Sequence, residues 1–282
     1  MRRLTFENSR GEKIVFYKSP HLITTLTGIG EVETELQGQR SPYQDGETHV
    51  DTILEPRFIE MESVITDIDL KTIKAYRKQI LRVCNPKLGP GKITLELDGD
   101  LKEIYGVLDG GPVFPERGQN GWQQFMITWK CSNPYWMDPN ETSKPLKAYV
   151  GNFTLPNTFP VELGLAGSHT TLYNIGDVLA PVRIDIQGPV TNPQIINKTT
   201  GQWLRVNRAI AADEILHINT TQGRKRVEVY RGNQVYPIFG YLDHDSDWIQ
   251  LELGANEIEH IADAGDRNSL VAVTWNSMYV GM

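Results

Sequence analysis

The stretch "CSNPYWMDPNE", Cys131 to Glu141, falls near the midpoint of a 282-residue chain. It follows "WQQFMITWKC" (122–131), in which Phe125, Ile127, Trp129 and Cys131 share one parity, the period-2 mark of a strand with an apolar face. Pro134 and Pro139 then remove two backbone donors and bias the residues before them toward extended conformations, so the strand cannot run on. The stretch therefore reads as a boundary. It divides the chain into a first domain over 1–137, a linker over 138–147 whose body is "DPNETSKP", and a second domain over 148–282. At roughly 100–200 residues per domain, two domains also fit the length.

On the N-terminal side, "KIVFY" (13–17), "RFIEMESVIT" (57–66), "KITLEL" (92–97) and "KEIYGVL" (102–108) read as further strands. One segment has a different period. In "DLKTIKAYRKQILRVCNP", Leu70, Ile73, Tyr76, Ile80, Leu81 and Cys84 are spaced by threes and fours, which predicts an amphipathic helix over 69–84. Asp69 is placed to cap its start and Pro86 to stop it. The first domain is expected to be a mostly antiparallel β-barrel or split barrel bearing this one helix, with Tyr76 and Ile80 buried.

On the C-terminal side no helix is predicted. The runs "VRIDIQG" (182–188), "WLRVN" (203–207), "EILHINT" (214–220), "KRVEVYRG" (225–232), "DWIQLELG" (247–254) and "LVAVTW" (270–275) recur with turn-forming residues between them, as in a β-sandwich. The 25 glycines, 16 prolines, 11 tyrosines and 6 tryptophans favour the same mainly-β class.

The net charge of −7 argues against a general grip on DNA, which needs clustered Lys and Arg. No apolar run reaches the ~18–20 residues of a membrane span. "MRRLTFENSRGEK" has the arginines of a signal peptide but no apolar stretch after them, so folding in a cytosol is expected. Cys84 and Cys131 are the two cysteines, too few for a disulfide scaffold; both fall on apolar faces and read as buried thiols.

Motifs that suggest chemistry fail on their spacing. "GPGK" (89–92) lacks the rest of a phosphate loop, and its Lys92 opens a strand, so a hairpin turn is expected. "DHDSD" (243–247) has alternating carboxylates, but a calcium loop needs Gly and Glu where Trp248 and Gly254 stand; a solvated turn is expected. "GIG" (28–30) lacks the third glycine of a dinucleotide fingerprint and reads as a tight turn. The six histidines show no metal spacing, and His217 and His260 lie in strand-like runs. The sequons at Asn140, Asn152, Asn197 and Asn219 carry no meaning outside a secretory pathway. "GRKR" (223–226) reads as a solvated basic turn. No catalytic residue, cofactor or metal ligand is assigned, and no enzymatic activity is expected.

Longer patterns carry more. "TGIGEVETELQGQRSPYQDGETHVDTILEPRFIEMESVI" (27–65) places a glycine turn, a Y-Q-x-G loop and a P-R-x-I strand in series. "NIGDVLAPVRIDIQGPVTNPQIINKTTGQWLRVN" (174–207) contains G-P-V-T-N-P, and "LELGANEI" (251–258) has the form L-x-x-G-x-N-x-I. In this order, over nearly the whole chain, these runs resemble the phage distal tail protein family. The resemblance implies an N-terminal barrel-like β domain with one helix and a C-terminal galectin-like β-sandwich. It further implies a hexameric ring at the tip of a long flexible tail in the virion, and no membrane partner. The ring's partners would be other copies of the chain, the tail tube protein, the tail-associated tip protein and receptor-binding proteins, with DNA only in transit.

A cyclic ring needs one patch of each copy to meet a different patch on its neighbour. The polar loop "QGQRSPYQDGETH" (37–49) is longer than most hairpin loops, so Gln39, Arg40, Ser41, Tyr43, Gln44, Asp45, Gly46 and Glu47 are candidate interface residues. The competing reading is a carbohydrate-binding adhesion module stacking sugars on Trp203, Trp248 or Trp275, although each also fits a core position. A wall-degrading hydrolase is a third, because a carboxylate pair leaves no local motif.

Overall fold

The structure, a computed structural model, describes residues 2–67, 69–116, 122–146, 169–265 and 269–282. The expected start of the second domain at 148, the last residue of the expected linker, and Asn152 lie outside the described residues. The chain divides into two compact units, Met1–Pro139 together with Tyr279–Met282, and Asn140–Met278.

The first unit contains β1 (Arg2–Glu7), β2 (Lys13–Phe16), β3 (His21–Thr27), β4 (Thr34–Gln39), β5 (Thr48–Leu54), β6 (Arg57–Ile65), α1 (Leu70–Val83), β7 (Gly91–Leu97), β8 (Asp100–Leu108), β9 (Gln123–Cys131) and β10 (Trp136–Met137). Seven of these form one antiparallel sheet in the order β2-β1-β7-β8-β9-β6-β3. Its two end strands meet only through a single bridge, Tyr17 to Leu22, so the sheet curls without closing into a hydrogen-bonded barrel. Alternation decides what lies inside: Ile93 and Leu95 of β7, Ile59 and Met61 of β6, and Phe125, Ile127, Trp129 and Cys131 of β9 are all buried in one core.

Asp69 caps α1, accepting from the Thr72 amide at 2.9 Å and the Thr72 hydroxyl at 2.7 Å. Ile73, Ile80 and Val83 are buried and Tyr76 packs partly against the same core, with its ring 5.3 Å from that of His21. Leu70 and Leu81, expected on the apolar stripe, face solvent. They sit at its margins, where the curved helix surface turns away from the sheet, and Val83 takes the inward place instead.

The second unit contains β11 (Thr142–Pro145), β12 (His169–Asn174), β13 (Ala180–Gln187), β14 (Val190–Thr191), β15 (Gln194–Asn197), β16 (Trp203–Arg205), β17 (Ala209–Ile210), β18 (Glu214–Asn219), β19 (Arg226–Arg231), β20 (Gln234–Pro237), β21 (Gln250–Leu251), β22 (Gly254–Ile261) and β23 (Leu270–Trp275). One sheet runs β11-β23-β13-β18-β19-β20 and a second β12-β22-β15-β16. Leu172, Ile195 and Ile258 of one sheet share a core with Ile184, Leu216, Val229 and Val273 of the other, so the two sheets form a sandwich. The expected strand over 247–254 is broken. Gly254 takes a φ of +83°, and the Asn256 side chain accepts from the Glu252 amide and donates to the carbonyls of Glu252 and Gly254, turning the chain into β22. The expected strand over 203–207 is likewise shorter, ending at Arg205.

Candidate functional site

The longest departure from the expected layout is the segment read as a polar loop over 37–49. It is a β-hairpin: β4 and β5 pair from Thr34↔Leu54 to Gln39↔Thr48, with a register shift at Gln37/Gly38. Only residues 40–47 form the connection. The sequence conceals the two strands because neither has an inward face. All six residues of β4 are exposed, and so are all but the last of β5. Leu36 and Val50 keep 66% and 62% of their surface in water.

Gln44 organises the tip. Its amide donates to the Ser41 carbonyl at 3.1 Å, its Oε1 accepts from the Ser41 amide at 3.0 Å, and its Nε2 donates to the Thr48 hydroxyl at 3.2 Å. Arg40 Nε adds a bond to the Gln44 carbonyl at 3.1 Å. Of the eight candidate residues, Arg40, Ser41 and Gln44 are thus joined to one another. Gln39 closes the ladder, and Glu47 lies alongside Gly38, where a Cβ would meet its carboxylate at 2.5 Å. Asp45 and Gly46 complete the turn, Gly46 at a φ of +75°. Tyr43 is fully exposed and has a φ of +66°, rare for so bulky a residue, which holds its ring out from the tip.

Sequence reasoning missed the root of the hairpin, which rests on Arg57. Arg57 is 1% exposed, at the parity of Ile59 and Met61, the inward side of β6. Its Nε donates to the Pro134 carbonyl at 2.7 Å and its Nη1 to the carbonyls of Gly28 and Glu31, each at 2.8 Å. Its Nη2 donates to the Val280 carbonyl. One guanidinium therefore ties together the turn before β4, the turn between β9 and β10, and residues 279–282. Burial lowers its pKa, but an arginine starts so high that it stays charged.

The turn it grips is built to match. Glu31 accepts from the amides of Gly28 at 2.8 Å and Gly30 at 3.3 Å, and the Gly28 amide is the main cause holding this carboxyl below its ordinary range. Trp136 Nε1 donates to the Ile29 carbonyl at 3.0 Å. Gly28 has a φ of +77°, and a Cβ there would lie 1.8 Å from the Phe58 carbonyl oxygen. "GIG" is thus a tight turn, here serving as the foot of the hairpin. The parity of Arg57 with Ile59 and Met61 was the available signal: an arginine on the inward side of a strand must find several acceptors.

Other motifs resolve elsewhere. "GPGK" joins a short 3-10 turn at Pro86–Leu88 to β7, where a hairpin turn was expected. In "DHDSD", Asp243 accepts from Asn207 and from the Asp245 amide. Among the described residues no group of three His, Cys, Asp or Glu is arranged to hold a metal ion. His217 Nδ1 donates to the Asp185 carboxylate at 2.7 Å, and His260 is buried. Trp275 is buried in the sandwich core and cannot stack a sugar; Trp203 and Trp248 are half-buried, with Lys225 of "GRKR" 5.0 Å over the Trp248 ring. Burial pushes the Cys84 and Cys131 thiols up to about 12, so both are inert.

No curated protein sequence matches the chain closely enough to count as a relative. Among solved structures, the chain is similar to the SPP1 Dit (gp 19.1) protein, described as a paradigm of the hub adsorption apparatus in phages infecting Gram-positive bacteria. The TM-score is 0.68 at 13% identity, covering 98% of each chain. It is also similar to a chain of the phage P2 baseplate in its activated conformation, seen with calcium and with strontium. There the TM-score is 0.54 at 12% identity, over 97% of this chain and 98% of that one. The model of the phage tail protein RIFT-related domain matches residues 9–131, and that of the siphovirus-type tail component C-terminal domain matches 176–279. Between them the two models account for a core of each unit, and the chain belongs to the distal tail protein family, non-enzymatic structural components of the siphophage tail tip.

Proposed function

We propose that the chain assembles as a six-membered ring that joins the tail tube to the tail-associated tip protein and the receptor-binding proteins, leaving a passage for DNA. The observation that carries this reading is the β4–β5 hairpin. A two-stranded hairpin alone is marginal in water, and stable sheets need a third strand or a packed face. This one has neither: its strands are solvent-facing throughout, and apolar Leu36, Val50 and Ile53 stand exposed on them. An element that carries exposed apolar groups on an ordered frame, fixed at its root by a buried arginine, is suited to a surface on another molecule.

Gln39, Arg40, Ser41, Tyr43, Gln44, Asp45, Gly46 and Glu47 form the reaching end of that arm, and neighbouring copies meet through the first unit. The second unit, a galectin-like sandwich, is left to face tip proteins. Passage of DNA calls for walls that do not hold phosphates, and the net charge of −7 suits that requirement.

Light scattering coupled to size exclusion tests the ring. The full chain is expected at six times its monomer mass of 31.9 kDa. Deleting Gln39 to Thr48 is expected to weaken assembly while leaving both units folded. A deletion variant that assembles as well as the parent refutes the role of the arm, and a monomeric parent refutes the ring.

A further inference from the structure

The net charge of the chain is unevenly placed. Within residues 33–55 there are six carboxylates, Glu33, Glu35, Asp45, Glu47, Asp51 and Glu55, against the single cation Arg40. The hairpin is therefore a strongly acidic arm. Within α1 the balance is reversed: Lys71, Lys74, Arg77, Lys78 and Arg82 stand on a 14-residue helix with no carboxylate. Both elements belong to the first unit.

Not all of these cations are free to meet a partner. Arg77 lies over the Phe114 ring at 4.7 Å, and Arg82 pairs with Glu12 at 3.2 Å. Lys71, Lys74 and Lys78 are exposed and make no ion pair among the described residues. Spaced by three and four, they form one stripe along the helix, flanked by exposed Leu70 and Leu81. That arrangement is unfavourable in an isolated chain. Like charges at these spacings repel, and Lys71 and Lys74 stand near the positive end of the helix dipole.

The arm has the complementary pattern. Cross-strand partners share a face, and the pairs Glu35↔Ile53 and Gln37↔Asp51 place two carboxylates and one exposed isoleucine on the same side. The lengths agree as well. A 14-residue helix is about 21 Å long, and a seven-residue strand such as β5 is about 23 Å.

We propose that the solvent stripe of α1, Lys71, Lys74 and Lys78 with Leu70 and Leu81, is the docking surface for the acidic hairpin arm of a neighbouring copy. The proposal rests on the ring reading above and names the second half of its contact. Arm and helix are different patches of one chain, so the contact is head-to-tail, as closure into a ring requires. Opposed fields steer the encounter and fix the register, while the exposed apolar groups on both sides supply burial.

A charge-reversal experiment on the full chain tests it. One variant carries K71E, K74E and K78E, and the other E35K and D51K. All five positions are solvent-exposed, so both variants are expected to fold, checked by circular dichroism; acids at 71 and 74 also suit the N-terminal end of the helix dipole. In low salt, each variant alone is expected to need at least about tenfold more protein to assemble than the parent. Mixed in equal amounts, the two should assemble within about threefold of the parent, because alternating copies restore every acid-to-base contact; added salt should weaken the parent's assembly.

A helix variant that assembles like the parent overturns the docking surface while leaving the ring intact. Variants that fail alone and also fail when mixed show that the arm and helix do not touch. Loss of double-stranded DNA binding in the helix variant, with assembly unchanged, would assign the stripe to nucleic acid instead. A parent that stays monomeric overturns the ring and the docking surface together.

Discussion

Replacing Arg57 by methionine keeps an unbranched apolar stem and removes the guanidinium. Four carbonyls, at Gly28, Glu31, Pro134 and Val280, then lose their donor. Hydrogen bonds from a charged group contribute about 1.5–3 kcal/mol each when buried. The bonds to Pro134 and Gly28 are buried, while those to Glu31 and Val280 are partly reached by water. Counting the two buried bonds alone, Arg57→Met is expected to destabilise the first unit by about 3–6 kcal/mol. Arg57→Lys should recover only part of this, because an ammonium cannot reproduce the planar fork that spans three chain segments. Urea denaturation followed by peptide-resolved hydrogen exchange separates the two units. Protection should fall in the first unit, earliest at residues 28–34 and 279–282, with the second unit unchanged. A loss under about 1 kcal/mol, or one spread evenly over both units, would refute the reasoning.

Ile80 is 0% exposed, so Ile80→Ala should cost the first unit roughly 2–4 kcal/mol through lost burial and a cavity; under half a kcal/mol would show that its stripe does not pack on the sheet. Burial holds the His21 imidazole below its ordinary value of 6.5, with the rings of Phe16, Tyr76 and Phe125 around it. The unfolded chain therefore binds more protons below pH 6.5, and the first unit should lose stability as the pH falls through that value. His21→Gln should flatten this slope, measured as urea midpoints between pH 7.5 and about 5; an unchanged slope excludes His21. Cys84 and Cys131, with thiols near 12, should resist iodoacetamide at pH 8 until urea unfolds the chain; labelling of the native protein refutes their burial. The assembled ring should bind double-stranded DNA negligibly even at low salt, and micromolar binding that fades with salt counts against a passage built for exit.

The mainly-β architecture was legible wherever a strand has one buried face. In β7 and β9 alternation marks the inward residues, and the 3–4 spacing of Ile73, Tyr76 and Ile80 marks the helix. Legibility failed where burial did not write the pattern. "TELQGQ" and "THVDTIL" form strands through backbone pairing alone, so no periodicity announces them, and the hairpin passed for a loop. Leu81 is apolar yet exposed, a choice that the helix period cannot explain within one chain. Arg57 was missed for the opposite reason. A charged residue is expected outside, and only the acceptors gathered from residues 28, 31, 134 and 280 make its burial tolerable.

That anchor also bears on how such a chain can diverge. The guanidinium of Arg57 reads main-chain oxygens only, and every residue supplies one of those. Positions 134 and 280 can therefore change their side chains without changing what the arginine meets. The burden of inheritance falls on very few letters: the arginine itself and Gly28, whose α-carbon has no room for a methyl group beside the Phe58 carbonyl. A lineage under pressure to follow a changing host could rewrite much of the surrounding text, and the arm would still spring from the same foot at the same angle.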